Sequence, residues 1–379
     1  MAPSFSLPSR LAAFYFAYFA FGAAMVAYFP LYLARRGLDA GEIAFVLALP
    51  QLARVFAPAA WGWLADRSGA QRGIVAFSCA VMAATFLLLP AAAGTAAIAW
   101  LIGLMSVLSA GALPLVEAIA LASLAGNAGR YGPIRLWGSV SFILVVLAGG
   151  AWLDFKPVDS LPAALATFAF GCLVASMGLP VTGVRARVAD TEPVPNTAEV
   201  RALLAAGFCM AAAHGVLYAF LTLHLRQMGY SGTAIGVLWS LGVLAEIVVF
   251  LFLPALFRRY SLATILLFSL GCAVARFLAI AWLAGELWLL VAAQLLHAAT
   301  FGSFHAASVA AVHRVFPSSA QGLGQTLFSS LSYGAGGAAG ALAAGWAWQL
   351  AGPQAAFSLG ALAALAGAYF AYRLKRAGL

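Results

Sequence analysis

Five charged side chains stand where charge is expensive. Arg54, Glu117, Arg135, Glu246 and Arg276 interrupt apolar runs long enough to cross a lipid bilayer. A charge at mid-bilayer costs about 2.5 to 3.5 kcal/mol on insertion scales, so each must face a partner or a water-filled cavity. Near them in sequence lie His214, Tyr218, Gln294, His297, Thr300 and His305. His214 and Tyr218 are four residues apart, and His297, Phe301 and His305 follow the same interval, which places each set along one helical face. An arginine offers two parallel donors to a carboxylate, and an imidazole exchanges its proton near neutral pH. The chemistry on offer is anion binding and proton handling. For each charge the competing reading is an ion pair that locks helices together. For each histidine it is a neutral ring satisfied inside the bundle.

The elements that must position these residues follow from composition. The chain has 379 residues, 64% hydrophobic and 8% charged, with a mean hydropathy of +0.99, against roughly a quarter charged in a soluble domain. This is the composition of an integral membrane protein. No Asp, Glu, Lys or Arg occurs from Gly73 to Val116 or from Val315 to Tyr372, and each stretch accommodates two helices of about 20 residues. Breaks at turn and charge signals give twelve spans, at roughly 11–33, 41–64, 73–90, 95–120, 134–153, 162–181, 201–225, 233–256, 261–283, 286–311, 321–349 and 353–372. The first apolar segment is longer than a signal-peptide core and lacks a clear cleavage site, so it reads as the first span. The longest polar stretch, Thr182 to Arg201, carries two prolines and mixed charge. It suits an aqueous linker at 182–200 between two six-helix bundles, 1–181 and 201–379.

The formal net charge of +9 matters less than where the basic residues fall. With both termini inside, thirteen lie on cytoplasmic segments (Arg10, Arg67, Arg72, Arg130, Arg185, Arg187, Arg201, Arg258, Arg259, Arg314, Arg373, Lys375, Arg376). Four lie outside, namely Arg35, Arg36, Lys156 and Arg226. That asymmetry predicts cytoplasmic termini and argues against a nucleic-acid partner. The halves also resemble one another. A shift of 192 lays Gly37 on Gly229, Gly132 on Gly324, and Arg54 on Glu246, and a parallel repeat with ionisable groups at matched depths is the pattern of a secondary transporter. Cys79, Cys172, Cys209 and Cys272 are scattered without metal-ligand or CxxC spacing and read as small packing residues. No HExxH, P-loop or GxSxG motif is present, so neither an enzyme, a metal site nor a cofactor is expected. Gly336 and Gly340, at small-xxx-small spacing, predict a close helix contact or a hinge.

The stretch from Tyr28 to Gly69, ending in GWLADRSG, resembles the first loop and second span of the major facilitator superfamily. GRYGPIRLWGS, LWSLGVLAEIVVF, LFRRYS and QLLHAATFGSFHAA, drawn from both halves, together resemble its 3-phenylpropionate transporter group. The resemblance implies an all-α fold of twelve transmembrane helices in two pseudo-symmetric six-helix bundles, in the inner membrane. A more distant similarity is to oligosaccharide:proton symporters of the lactose permease type. It implies substrate contacts from Glu117 and Arg135, 18 residues apart, and coupling roles for Glu246, Arg276 and His297. Thr300 stands where those symporters place the glutamate that carries the proton, so that role does not transfer. Phe142 replaces a stacking tryptophan, which argues against a galactoside.

Three intramembrane arginines against two carboxylates leave one positive charge in excess, which favours an anion. The expectation is proton-coupled uptake of a small aromatic monocarboxylate, such as a phenylpropionate, by a monomer. Arg54, Glu117, Arg135, Phe142, His214 and Tyr218 are the expected substrate contacts. Glu246, Arg276, His297 and His305 are the coupling residues, with Glu246 the leading proton carrier. Tyr18, Phe21 and Tyr28 are candidate aromatic walls, with core packing as the competing reading. The rivals are sugar or nucleoside symport and, in another class, a non-transporting membrane sensor.

Overall fold

The structure is a computed structural model and describes residues 6–124, 131–181 and 195–379. Arg130, Arg185, Arg187 and most of the expected linker, residues 182–194, lie outside them. The described residues are helical throughout and contain no strand. We number the spans α1 (Leu7–Arg35), α2 (Ala40–Ser68), α3 (Gln71–Leu88), α4 (Gly94–Ser123), α5 (Tyr131–Phe155) and α6 (Leu161–Met177). The second set is α7 (Ala198–Gln227), α8 (Gly232–Arg259), α9 (Leu262–Leu283), α10 (Leu287–Val315), α11 (residues 321–350) and α12 (residues 353–376). The last two form one continuous rod except at Ala351 and Gly352, where a φ of 79° at Gly352 breaks the helix. That break, just before Pro353, makes two spans out of a largely apolar stretch of 59 residues.

Local sequence sets the helix ends. Asp39 accepts from the Glu42 amide at 2.9 Å while Glu42 accepts from the Asp39 amide at 3.0 Å, a reciprocal capping box that starts α2. Ser231 starts α8 with a simple N-cap, its hydroxyl accepting from the Ala234 amide. Gly37 and Gly229 turn the chain into these caps with φ of 84° and 86°. Asp39 and Ser231 are themselves 192 residues apart, so the repeat seen in sequence is a repeat of loop geometry.

Apolar side chains face outward in large numbers. Leu87, Trp100, Phe155, Leu251 and Trp282 are between 66% and 87% exposed, a surface that water would not tolerate and lipid does. Inside, helices approach through small residues, since lipid offers no hydrophobic drive to bring them together. A β-carbon on Gly336 or Gly340 would meet the backbone of Phe208 or Ala212 in α7, so the close-contact reading holds for both. Cys79 and Cys172 are buried in one cluster, where α3 packs against α6.

The two sets of six helices meet chiefly through α5 against α8 and α2 against α11. Both contacts concentrate at the end of the bundle away from the termini. There Gly150 lies against Gly232, Gly236 against Val146, and Gly345 against Ala44, with no room for a side chain at any of the three. Asp154 at the end of α5 caps the neighbouring helix across this seam. Its Oδ1 accepts from the Gly232 amide at 2.6 Å, and its Oδ2 from the Thr233 amide at 2.9 Å and hydroxyl at 2.7 Å. Arg226 adds an ion pair at 3.7 Å. A carboxylate at a helix N-terminus is favoured by both free amides and the helix dipole.

Candidate functional site

The two halves present different kinds of arginine. Arg135, in the second turn of α5, is only partly buried, and its side chain hydrogen-bonds Tyr131 in the first turn of the same helix. Its guanidinium lies 4.0 Å over the ring of Phe19 and 5.6 Å from that of Tyr15, both on α1. The glycine one turn later explains the pose. A β-carbon on Gly138 would sit 2.8 Å from Phe19 and 2.9 Å from Arg135 Nη1, so Gly138 supplies the space they share. No ion pair within 4.0 Å involves Arg135 among the described residues. Glu117 and Arg135, both expected at the substrate, act on each other at longer range, and the aromatic faces together with Tyr131 hold the guanidinium. Across the interface the same charge reaches Glu246 and His305.

Arg54 on α2 is exposed and also lacks an ion pair among the described residues. Tyr18 in its own half and Tyr218 in the other both lie within range of its charge. Phe142 and Tyr18 are partly buried against the core. Phe21 and Tyr28 serve packing: Phe21 stacks edge to face on Phe86 at 5.4 Å, and the Tyr28 hydroxyl donates to the Val146 carbonyl at the seam.

Arg276 on α9 is 1% exposed. Its Nη1 donates to His297 Nδ1 at 3.0 Å and to Thr300 Oγ1 at 3.1 Å, and its Nη2 donates to Gln294 Oε1 at 3.2 Å. Arginine can only donate, so His297 Nδ1 accepts and the ring proton is on Nε2. That Nε2 lies 3.8 Å from Glu246 Oε2. On the other side, His214 Nδ1 lies 3.0 Å from the Met210 carbonyl and must donate to it, while His214 Nε2 is 3.5 Å from Thr300 Oγ1. A connected chain thus links His214, Thr300, Arg276, His297 and Glu246, with Arg276 donating in both directions from its middle. His305 stands outside it, 2.7 Å from the Tyr333 hydroxyl of α11.

The backbone of α10 makes this arrangement possible. Residues Ala298–Ser303 form a π-helical turn, a feature that concentrates at functional sites. Within it Gly302 leaves room for Glu246, since a β-carbon there would come within 3.0 Å of the Glu246 Cγ. Gly242 of α8 does the same for His297. The rings of His297, Phe301 and His305 stack in a ladder with centroids 5.3 and 6.1 Å apart. His214 and Tyr218 approach to 5.9 Å, and Tyr218 in turn stacks on Trp239 at 6.3 Å.

Phe19, Trp239, Gly302 and Tyr333 escaped the sequence reading, whereas Gly138 was legible as a close-packing position next to Arg135. The isolated glycine Gly302, inside a helical run between His297 and His305, was the signal available for one of them. The aromatic residues are indistinguishable in sequence from packing.

Relatives of known type match this architecture. The chain is 33% identical over 186 residues to the probable 3-phenylpropionic acid transporter of Escherichia coli (strain K12), a match that spans 47% of this chain and 48% of that one. It is 27% identical over 341 residues to the maltose permease of Geobacillus stearothermophilus, covering 85% and 83% of the two chains. The crystal structure of the nucleoside transporter NupG superposes with a TM-score of 0.85 over 98% of this chain and 100% of that one, at 18% identity, a likeness of fold alone. The MFS_1 like family profile matches residues 9–359. The chain belongs to that family and is a multi-pass secondary transporter of the major facilitator type, not an enzyme.

Proposed function

We propose that the protein takes up a small aromatic monocarboxylate, such as a phenylpropionate, together with protons, by alternating access of a site between two six-helix bundles, 1–181 and 201–379. The observation that carries the substrate class is Arg135, a guanidinium held between Phe19 and Tyr15 with no carboxylate on it. A carboxylate substrate supplies the missing partner through charge-assisted hydrogen bonds. Arg54 opposes it from α2. Glu117, Phe142, His214 and Tyr218 complete the binding surface, and the ladder of His297, Phe301 and His305 offers a flat wall to an aromatic ring.

Proton coupling is assigned to Glu246. His297 is tied to Arg276 through the nitrogen that would have to gain a proton, and His305 is engaged with Tyr333. Protonating Glu246 removes a charge from the interface between the bundles and eases its crossing between states. The distribution of basic residues supports cytoplasmic termini in the inner membrane, and the transporter is read as working as a monomer. The seam around Asp154 is then the closed outer gate, and the site opens inward.

Sugar or nucleoside symport is the second reading. It is favoured by the longer match to the maltose permease. A thermal-shift screen of the purified protein against aromatic acids, sugars and nucleosides separates the two. A ligand at a hundred times its Kd stabilises the native state by about 2.7 kcal/mol. Stabilisation by phenylpropionate and not by maltose or uridine supports the carboxylate reading, and the reverse pattern removes it.

A further inference from the structure

Thr300 is 0% exposed and touches both histidines' environments at once. Its Oγ1 accepts from Arg276 Nη1 at 3.1 Å, lies 3.5 Å from His214 Nε2, and lies 3.4 Å from the His297 carbonyl. A hydroxyl has one proton and two lone pairs, so it can turn. With its proton toward His214 it satisfies a neutral ring there. With its proton toward the His297 carbonyl it can accept from a His214 that carries a proton on both nitrogens. In either orientation it keeps accepting from Arg276. Thr300 is the hydroxyl of the cluster that can reverse its donor direction by rotation: Arg276 only donates, Gln294 meets it through Oε1, and the tautomer of His297 is fixed by its bond from Arg276. His214 is the member at the substrate wall, with Tyr218 at 5.9 Å and Phe301 at 6.2 Å. Glu246 is the member at the opposite end, on α8.

We propose that Thr300 is the positioning residue that couples substrate to proton: its hydroxyl joins His214 at the substrate wall to the Arg276–His297–Glu246 arm. A substrate that shifts His214 thereby resets Arg276 and the His297 Nε2–H aimed at Glu246. The Ala298–Ser303 π-turn is what brings the hydroxyl inside this cluster, since it carries Thr300 and Gly302 on a widened turn between α8 and α9. The inference rests on the proton-coupled reading above.

The test compares two activities of the full-length protein in liposomes with radiolabelled 3-phenylpropionate. One is counterflow, which needs no net proton movement; the other is uphill accumulation on an imposed proton gradient. Thr300→Val keeps the shape and removes the hydroxyl. The expected result is a tenfold or greater fall in the ratio of accumulation to counterflow, with Thr300→Ser restoring that ratio. A purely structural role lowers both activities together and leaves the ratio unchanged, and that outcome overturns the proposal. Should Thr300→Val fail to insert, Thr300→Cys, which retains a weak donor and acceptor, gives an intermediate ratio if the proposal holds and the wild-type ratio if it does not. Failure of the wild-type protein to accumulate the acid on a proton gradient counts against proton coupling itself. Wild-type accumulation with an unaffected Thr300→Val counts against Thr300 alone.

Discussion

Arg135 and Arg276 are the same residue type at intramembrane positions, and their surroundings differ in every respect that matters. Arg135 has two aromatic faces against it, partial exposure and no ion pair among the described residues. Arg276 has three polar side chains bonded to it and 1% exposure. Aromatic faces attract a guanidinium without using up its donors, so, apart from its bond to Tyr131, Arg135 keeps donors free for a carboxylate. Polar neighbours occupy the donors of Arg276 and turn it into a fixed strut that sets the tautomer of His297. Charge inside a membrane is thus of two kinds, and the number of occupied donors tells them apart.

The contrast breaks first at Glu246. Glu246→Gln removes the group at the end of the Arg276 arm, and the expected outcome is loss of uphill accumulation with counterflow retained. Normal accumulation would hand the proton to a histidine. Arg135→Gln comes next. A hydrogen bond to a charged group contributes about 1.5 to 3 kcal/mol, so binding of phenylpropionate should weaken roughly ten- to hundredfold, with little change in the melting temperature. Arg276→Gln should do the opposite. It leaves buried acceptors unpaired at a cost of about 1 to 3 kcal/mol, so the melting temperature falls; a mutant as stable as the wild type would place Arg276 with the free arginines. Gly138→Ala is the smallest change. Its methyl group must displace Phe19 or Arg135, and binding read by calorimetry should weaken several-fold while Leu136→Ala, on an exposed residue of the same helix, has no effect.

Much of the fold was legible because its causes are local. Runs free of charge, glycine turns and Ser or Asp caps fix twelve helices, and the 192-residue repeat reappears as paired loops at Gly37 and Gly229. The candidate residues were legible as a set because charge within an apolar run is rare. Their partners were not. The 18-residue interval between Glu117 and Arg135 implied, through the resemblance, a shared substrate site; the packing of the guanidinium on Phe19 was not readable from it, because Gly138 opens that side and no local pattern encodes a contact between α1 and α5. The histidine spacing predicted one face of α10, and the rings do stack. The π-turn beneath them was not readable from a four-residue interval. Nothing local in the sequence marks Asp154, and only the packing of α5 against α8 makes it the cap of another helix.

The central claim is that a free arginine receives an aromatic carboxylate while a tied one serves the proton. Its most direct test is uptake by the wild-type protein in sealed proteoliposomes with an imposed inward proton gradient, offered phenylpropionate, maltose and uridine in parallel. The account predicts accumulation of phenylpropionate alone, abolished when the gradient is collapsed. Accumulation of maltose or uridine with phenylpropionate excluded would contradict it.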